Sequence, residues 1–212
     1  MTLINNLINQ KWLKTLTIIE AFRKIKRKDF VLKEMQELAE LDRALPIGFD
    51  QTISQPLTVA FMLELLQPKL GDKILDIGSG SGWTSTLLAE IVGKKGRVLS
   101  IELIQELKEF GEKNIAKYNF IEKGIVECVC ADGAKGYAKE APFDKILCSA
   151  AAQKEIPSTW KEQLKINGRI VSSVDNSIWL FIKNPPVGGR KEFEEIEYPG
   201  FAFVPLVLPK EG

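Results

Sequence analysis

One stretch constrains this chain more than any other: Ile74-Leu75-Asp76-Ile77-Gly78-Ser79-Gly80-Ser81-Gly82-Trp83-Thr84. An apolar, strand-like run carries an acid. A glycine-dense loop follows, and then a helix-like segment from Thr84 to Val92. Strand, glycine loop and helix in that order suggest a nucleotide-type cofactor site. Glycine lets the backbone turn sharply and come close to a ligand. The new helix points free N–H groups toward it.

Spacing decides which cofactor. A dinucleotide fingerprint requires G-x-G-x-x-G, or Ala in the last place. Counted from Gly78 that place is Trp83, and counted from Gly80 it is Ser85, so neither fits. A phosphate loop ending in Gly-Lys-Ser/Thr is absent. The pattern present is acid-x-G-x-G-x-G, which resembles the first motif of the S-adenosylmethionine-dependent methyltransferases. Glu102 ends the next apolar run, Gly96 to Ile101, where a ribose-binding carboxylate belongs in a βαβ unit. The plainer alternative is a tight strand-to-helix turn followed by an exposed glutamate.

The 212 residues suit one large domain, or a domain with an added lobe. Apolar content of 45% allows a sizeable core without disulfides or metals. A net charge of +1 gives no argument for a polyanion partner. The three cysteines, Cys128, Cys130 and Cys148, read as buried, reduced thiols suited to a reducing cytoplasm. With no C-x-x-C and no histidine, no metal site is expected. The N-terminus lacks a secretory pattern, and no apolar run has the length of a membrane span. The missing histidine also removes His-based triads and bases. The chemistry must use another side chain or an acceptor that is already nucleophilic.

Along the chain, residues 3–13 read as a short amphipathic helix. Thr17 to Glu20 has capping-box spacing and opens a helix to about Lys26. The basic run Lys24 to Lys28 reads as a solvated helix end, and Lys33 to Leu41 as a further helical piece. Leu45 to Pro56 is a loop or extended segment, and Pro56 suits the first turn of a helix reaching about Leu66. Beyond the glycine loop, strands are expected at 97–102, 125–131, 144–149 and 169–174. Helices are expected at 84–92, 104–117 and 158–164, with a turn at Asn167-Gly168. Two late strands are expected at 178–182 and 201–206, separated by a polar loop over 183–200. The alternation implies a doubly wound, mostly parallel α/β sheet of the Rossmann-like methyltransferase type, seven-stranded, with an N-terminal helical segment. Ligands of such sheets lie beyond the carboxyl ends of the strands. Asp76, Glu102, Asp132 and Ser149 fall there.

Leu45-Pro46-Ile47-Gly48, then Gln51-Thr52-Ile53-Ser54-Gln55-Pro56, resembles the hallmark of the protein-L-isoaspartate O-methyltransferase family. Ala131-Asp132-Gly133, Ala141-Pro142-Phe143-Asp144, Ile156-Pro157 and Phe203-Val204-Pro205-Leu206 extend the similarity over about residues 27–208. The resemblance implies transfer of a methyl group from S-adenosylmethionine, leaving S-adenosylhomocysteine, to the α-carboxylate of an isoaspartyl residue in damaged protein. The ester then closes to a succinimide. A carboxylate with a pKa near 4 is already anionic, so the missing base is no obstacle.

On that resemblance Ser54 orients the acceptor carboxylate, although by position alone it reads equally as a helix N-cap. Thr52 is a second hydroxyl contact or a plain extended residue. Gly78, Ser79, Gly80 and Gly82 hold the methionine part, with Asp76 bracing the loop or reaching the methionine amine. Glu102 holds the ribose. Asp132 and the Gly133 N–H meet the adenine, while the plain reading of Asp132 is an Asp-Gly turn. Residues 1–56 form the acceptor side and 57–212 the cofactor core of one compact unit. Asp50 departs from the pattern and either repels the acceptor or faces solvent. Ser172 to Asp175 is a second departure. The expected partners are isoaspartyl peptides and proteins, without nucleic acid or membrane, for a cytoplasmic monomer. The competing readings are a methyltransferase for RNA, a small molecule or a biosynthetic peptide, and a non-catalytic binding module.

Overall fold

The computed structural model describes residues 2–152, 154–186, 188 and 191–207. The chain opens with α1 (Leu3–Asn9) and α2 (Leu16–Lys24), followed by 3-10 turns at Arg27–Phe30 and Lys33–Leu38. A hairpin of β1 (Leu45–Gly48) and β2 (Gln51–Ile53) leads into α3 (Pro56–Leu66). Then come β3 (Lys73–Ile77), α4 (Trp83–Val92), β4 (Arg97–Glu102), α5 (Gln105–Ala116), β5 (Val126–Cys130) and β6 (Phe143–Ala152). The last elements are α6 (Ser158–Glu162), β7 (Leu164–Val174), β8 (Ser177–Lys183) and β9 (Phe193–Pro199).

The seven-stranded sheet runs β5-β4-β3-β6-β7-β8-β9. Strands β3 to β7 are parallel, and β8 and β9 add antiparallel. Alternate residues serve opposite faces. Ile74, Val98, Leu147, Val171 and Leu180 join one core with α1 to α5. Their neighbours Leu75, Leu99, Ile146, Ile170 and Phe181 join a second core around Trp160 of α6. The connection from β3 leads to one side of the sheet and the connection into β6 returns on the other, so the strand order reverses between β3 and β6. A crevice at the carboxyl ends of these two strands is where such sheets bind ligands.

Three expectations need correction and one, at 45–56, is sharpened. The capping box at Thr17 does not form. The cap position is Thr15, whose hydroxyl donates to Glu64 Oε2 at 2.7 Å while its backbone N–H donates to Glu64 Oε1. The tertiary partner outcompetes the local one. The segment 45–56, read as loop or extended, is a paired hairpin with Leu45 opposite Ile53 and Pro46 opposite Thr52. Both turn residues, Phe49 and Asp50, have positive φ, as a tight two-residue hairpin turn demands.

The final strand was expected at 201–206 and lies instead at Phe193–Pro199, inside the presumed polar loop. Its glutamates, Glu194, Glu195 and Glu197, are exposed on an edge strand while Phe193 is buried, so its charge disguised it. Residues 187, 189 and 190 of that loop lie outside the described residues. Residues 201–206 make one bridge, Pro205 beside Ala151. Proline has no N–H to extend a ladder. Of the three thiols read as buried, only Cys148 is; Cys130 is exposed and Cys128 half-buried.

Candidate active site

The donor side begins where β3 stops. Gly78, Gly80 and Gly82 all have positive φ, and the loop folds back so that the Gly78 and Ser79 N–H groups donate to Ile101 O. At Gly82 the close approach is also obligatory. A Cβ there would lie 2.8 Å from Gly111 O and from Ile115 of α5. The constraint is mutual, since a Cβ on Gly111 would lie 2.6 Å from Gly80 O. Asn114, buried on the same helix, donates from Nδ2 to Ser81 O at 3.1 Å. Gly111 and Asn114 therefore shape the loop from behind, and sequence reasoning missed both. The available signal was an isolated glycine inside a helical pattern.

Glu102, 8% exposed, ends β4 beside this loop. Its Oε2 accepts from Gly80 N at 2.9 Å, and its Oε1 accepts from Leu103 N and Ile104 N at 2.9 and 3.1 Å. The carboxylate is thereby fixed in orientation; Oε1 already accepts twice, and Oε2 retains accepting capacity for a ligand hydroxyl.

Asp76 lies fully buried beneath the loop, and it is not on the cavity wall. Its Oδ2 accepts from Ser85 Oγ at 2.6 Å and Thr84 Oγ1 at 2.9 Å, at the start of α4. Its Oδ1 has no partner. Burial pushes the carboxyl up to about 6, opposed by the two hydroxyls and reinforced by the charge of Glu102. Asp132 Oδ1 accepts from Ala134 N at 3.0 Å and caps a 3-10 turn, again off the wall. Gly133 beside it is on the wall, and a Cβ there would meet Ile77 at 2.5 Å. Gly82, too, lies behind the wall rather than on it.

The facing wall is the hairpin. Ser54 follows β2, and it does not cap α3. The cap residue is Gln55, without a side-chain bond, and the Leu57 N–H is taken by Asp42 Oδ1 at 2.8 Å. That leaves the Ser54 side chain to the cavity, where Thr52 and Gln51 join it. Asp50 is exposed at the hairpin tip, away from the wall.

Arg27 corrects the reading of Lys24 to Lys28 as wholly solvated. It is 3% exposed, and its Nη atoms donate to the carbonyls of Ala39, Leu41, Arg43 and Ser54 at 2.8–3.2 Å. Burial lowers its pKa to about 10, partly offset by Asp42 and Glu40. It keeps its charge at neutral pH.

Between the two sides lies an open cavity of about 730 Å³. Its floor includes Ser149 and Ala150, which bulge from β6 because the register with β7 jumps between Cys148 and Ala151. Ser149 Oγ is buried without a hydrogen-bond partner. The roof is the segment Val204 to Val207, tied by Ala151 N–H to Val204 O and by Leu206 N–H to Ala151 O, both at 2.8 Å.

Among the described residues the wall carries one ionisable side chain, Glu102. Cys148, close by, is pushed up to about 12 by burial and supplies no thiolate. Among the described residues no Cys, Asp or Glu cluster is placed to hold a metal, and no helix is long and apolar enough to cross a membrane. A glycine loop that lets a ligand lie close to the backbone, an oriented carboxylate at the end of β4 and an orphaned hydroxyl on the floor fit a nucleoside cofactor with an amino-acid tail.

Comparison with known proteins agrees. The family described as Protein-L-isoaspartate(D-aspartate) O-methyltransferase matches residues 1–209. A protein-L-isoaspartate O-methyltransferase of Aeropyrum pernix is 42% identical over 90% of this chain and 72% of its own length. A second, from Archaeoglobus fulgidus, is 43% identical over 89% of this chain and 84% of its own. A solved structure named protein-L-isoaspartate O-methyltransferase superposes with a TM-score of 0.83 at 26% identity. The match covers 96% of this chain and 64% of that longer one. A Plasmodium falciparum structure in complex with S-adenosyl-L-homocysteine shares the fold, with a TM-score of 0.81 at 20% identity and 97% and 96% of the two chains covered. The chain belongs to the protein-L-isoaspartate(D-aspartate) O-methyltransferase family.

Proposed function

We propose that this chain methylates the free α-carboxylate of L-isoaspartyl residues in damaged proteins, using S-adenosylmethionine. The observation that carries the reading is the cavity itself. A glycine-loop donor side faces a hydroxyl-bearing hairpin, and the one ionisable group on the described wall, Glu102, already accepts three backbone N–H bonds. An acceptor that is already anionic needs no general base, and the described wall offers no ionisable group besides Glu102.

The residues divide the work at about Pro56. On the cofactor side, Gly78, Ser79 and Gly80, their own N–H groups spent on Ile101 O and Glu102, form a low wall against which the methionine part lies, and Gly82 turns the chain into α4. Glu102 receives a ribose hydroxyl on the free lone pair of Oε2. The Gly133 N–H meets the adenine edge, and Asp132 fixes that turn from behind the wall by capping Ala134 N. Asp76 acts from below, fixing Thr84 and Ser85 so that the loop and helix keep one geometry. S-adenosylmethionine, when bound, supplies a methyl group on a cationic sulfur, which departs as a neutral thioether. On the acceptor side Ser54 donates its hydroxyl to one carboxylate oxygen and aims the other along the line of attack, with Thr52 as a second contact. The roof excludes water. Such positioning is worth about 7–11 kcal/mol in favourable cases. The methyl ester then closes to a succinimide without further help from the protein. Monomeric action in the cytoplasm, on protein and without nucleic acid, completes the reading. A net charge of +1 and three free cysteines support that setting.

Ser54→Ala tests it. Loss of one oriented donor is expected to lower kcat by about 10²–10³-fold. S-adenosylhomocysteine affinity, measured by calorimetry, stays within about twofold. The assay is labelled methyl transfer to an isoaspartyl peptide and to its aspartyl twin, scored as base-labile product. Equal rates on the two peptides rule out repair specificity. Normal turnover by the variant removes the role given to Ser54.

A further inference from the structure

We propose that Arg27 is a positioning residue for methyl transfer, coupling the Ser54 loop to the helix that follows the glycine loop. The inference rests on the role given to Ser54 above.

Three observations meet at one guanidinium. Its Nη2 donates to Arg43 O at 2.8 Å and to Ser54 O at 3.2 Å, the two flanks of the β1–β2 hairpin. Its Nη1 donates to Ala39 O and Leu41 O, the segment leading into that hairpin. Its flat face lies over the Trp83 ring, 5.4 Å from the centroid. Trp83 is the first residue of α4, directly after Gly82, and both Trp83 and Ser54 line the cavity. One buried side chain therefore spans from the acceptor loop to the donor loop.

The geometry suits arginine alone. A guanidinium offers planar, forked donors and a stacking face at once, whereas an ammonium is a compact point charge with neither. Pinning the Ser54 carbonyl limits the backbone rotations that place its hydroxyl. Attack along a line tolerates little drift, because misplacement by about 1 Å can cost about 10²-fold in rate. A purely architectural arginine would hold the fold equally well whether or not Ser54 carried a hydroxyl. A positioning arginine matters to the rate only while that hydroxyl is present.

A double-mutant cycle on single-turnover methyl transfer separates the two. Arg27→Lys is expected to lower the rate by about 10–100-fold at saturating substrates. S-adenosylhomocysteine affinity should stay within about threefold. In a Ser54→Ala background the same change should cost less than about threefold, because the group it positions is gone. Equal loss in both backgrounds overturns the proposal and leaves Arg27 a structural residue. An inert Ser54→Ala single variant instead overturns the Ser54 reading, and this inference with it. If Arg27→Lys does not fold, Trp83→Phe shrinks the ring beneath the guanidinium and enters the same cycle. A several-fold loss confined to the Ser54 background supports the proposal. An equal loss in both backgrounds, or none, overturns it.

Discussion

The glycine loop and the β1–β2 hairpin face each other across one cavity, and they are held in place by different means. The loop at 78–82 is fixed locally. Its N–H groups bond to Ile101 and Glu102 on the neighbouring strand, and α5 presses against it through Gly111 and Asn114. The hairpin at 45–53 is fixed from a distance, by Arg27 and by the start of α3. A site that holds its small cofactor rigidly and its acceptor loop through one buried cation can vary the second without disturbing the first. Three further substitutions test how independent the two halves are.

The first test falls on the donor half and reads cofactor binding directly. Gly111→Ala drives a Cβ to within 2.6 Å of Gly80 O, so the loop must shift. Overpacking of this kind costs about 1–3 kcal/mol. We expect S-adenosylhomocysteine to bind about tenfold more weakly, whereas the helix itself gains about 1 kcal/mol from alanine. Calorimetry beside thermal melting reads the split. Unchanged affinity would show that α5 does not shape the cofactor loop.

Next is Asp76. Its carboxyl is raised from an ordinary 3.8 to about 6, so the folded state binds a proton more readily than the unfolded chain does. The resulting stabilisation is fully present below pH 3.8 and is lost as pH rises through about 6. Asp76→Asn lacks this component. Between pH 3.8 and 7.5 the stability difference should move by about 3 kcal/mol in favour of the variant. Denaturant titrations of both proteins across that range measure it, and parallel pH profiles would remove the assigned shift.

The smallest effect is expected on the acceptor half, at Asp50. The sequence left two readings, repulsion of the acceptor or simple exposure. The structure places Asp50 exposed at the hairpin turn, with φ of 55°. Exposed charges contribute about 0–1 kcal/mol. Asp50→Asn should therefore change KM for an isoaspartyl peptide by less than about threefold, and less still at high salt. A tenfold fall in KM would put the carboxylate in the substrate path.

The same contrast explains what was legible in the sequence. Local determinants read well. Glycine spacing, the acid at 102, the Pro56 helix start and the parallel strands all follow from neighbours in the chain. The sheet face alternation at Ile74/Leu75 and Val98/Leu99 likewise needed only period two. What was missed depends on partners far along the chain. Arg27 looks like any residue of a basic run until its carbonyl partners up to Ser54 are known. The capping box at Thr17 was a sound local signal overruled by Glu64. The edge strand β9 was hidden by its glutamates, and an apolar run at 201–206 took its place in the reading while serving as roof. Positions Asp76, Gly82 and Asp132 carried the right pattern and lie behind the cavity wall, because a motif marks a loop and not which of its atoms face the ligand.

The roof has a topological consequence. Among the described residues its backbone is bonded to the floor at Ala151, through two hydrogen bonds, and Leu206 packs on the core below. Segments tied by so few bonds open at little cost. A damaged residue in the middle of a protein has chain leading away from it in both directions, so a closed tunnel would need to be threaded from a free end. An open cleft beneath a short cover instead admits an uninterrupted strand from the side. The cleft therefore suits a lesion in mid-chain as well as one near an end.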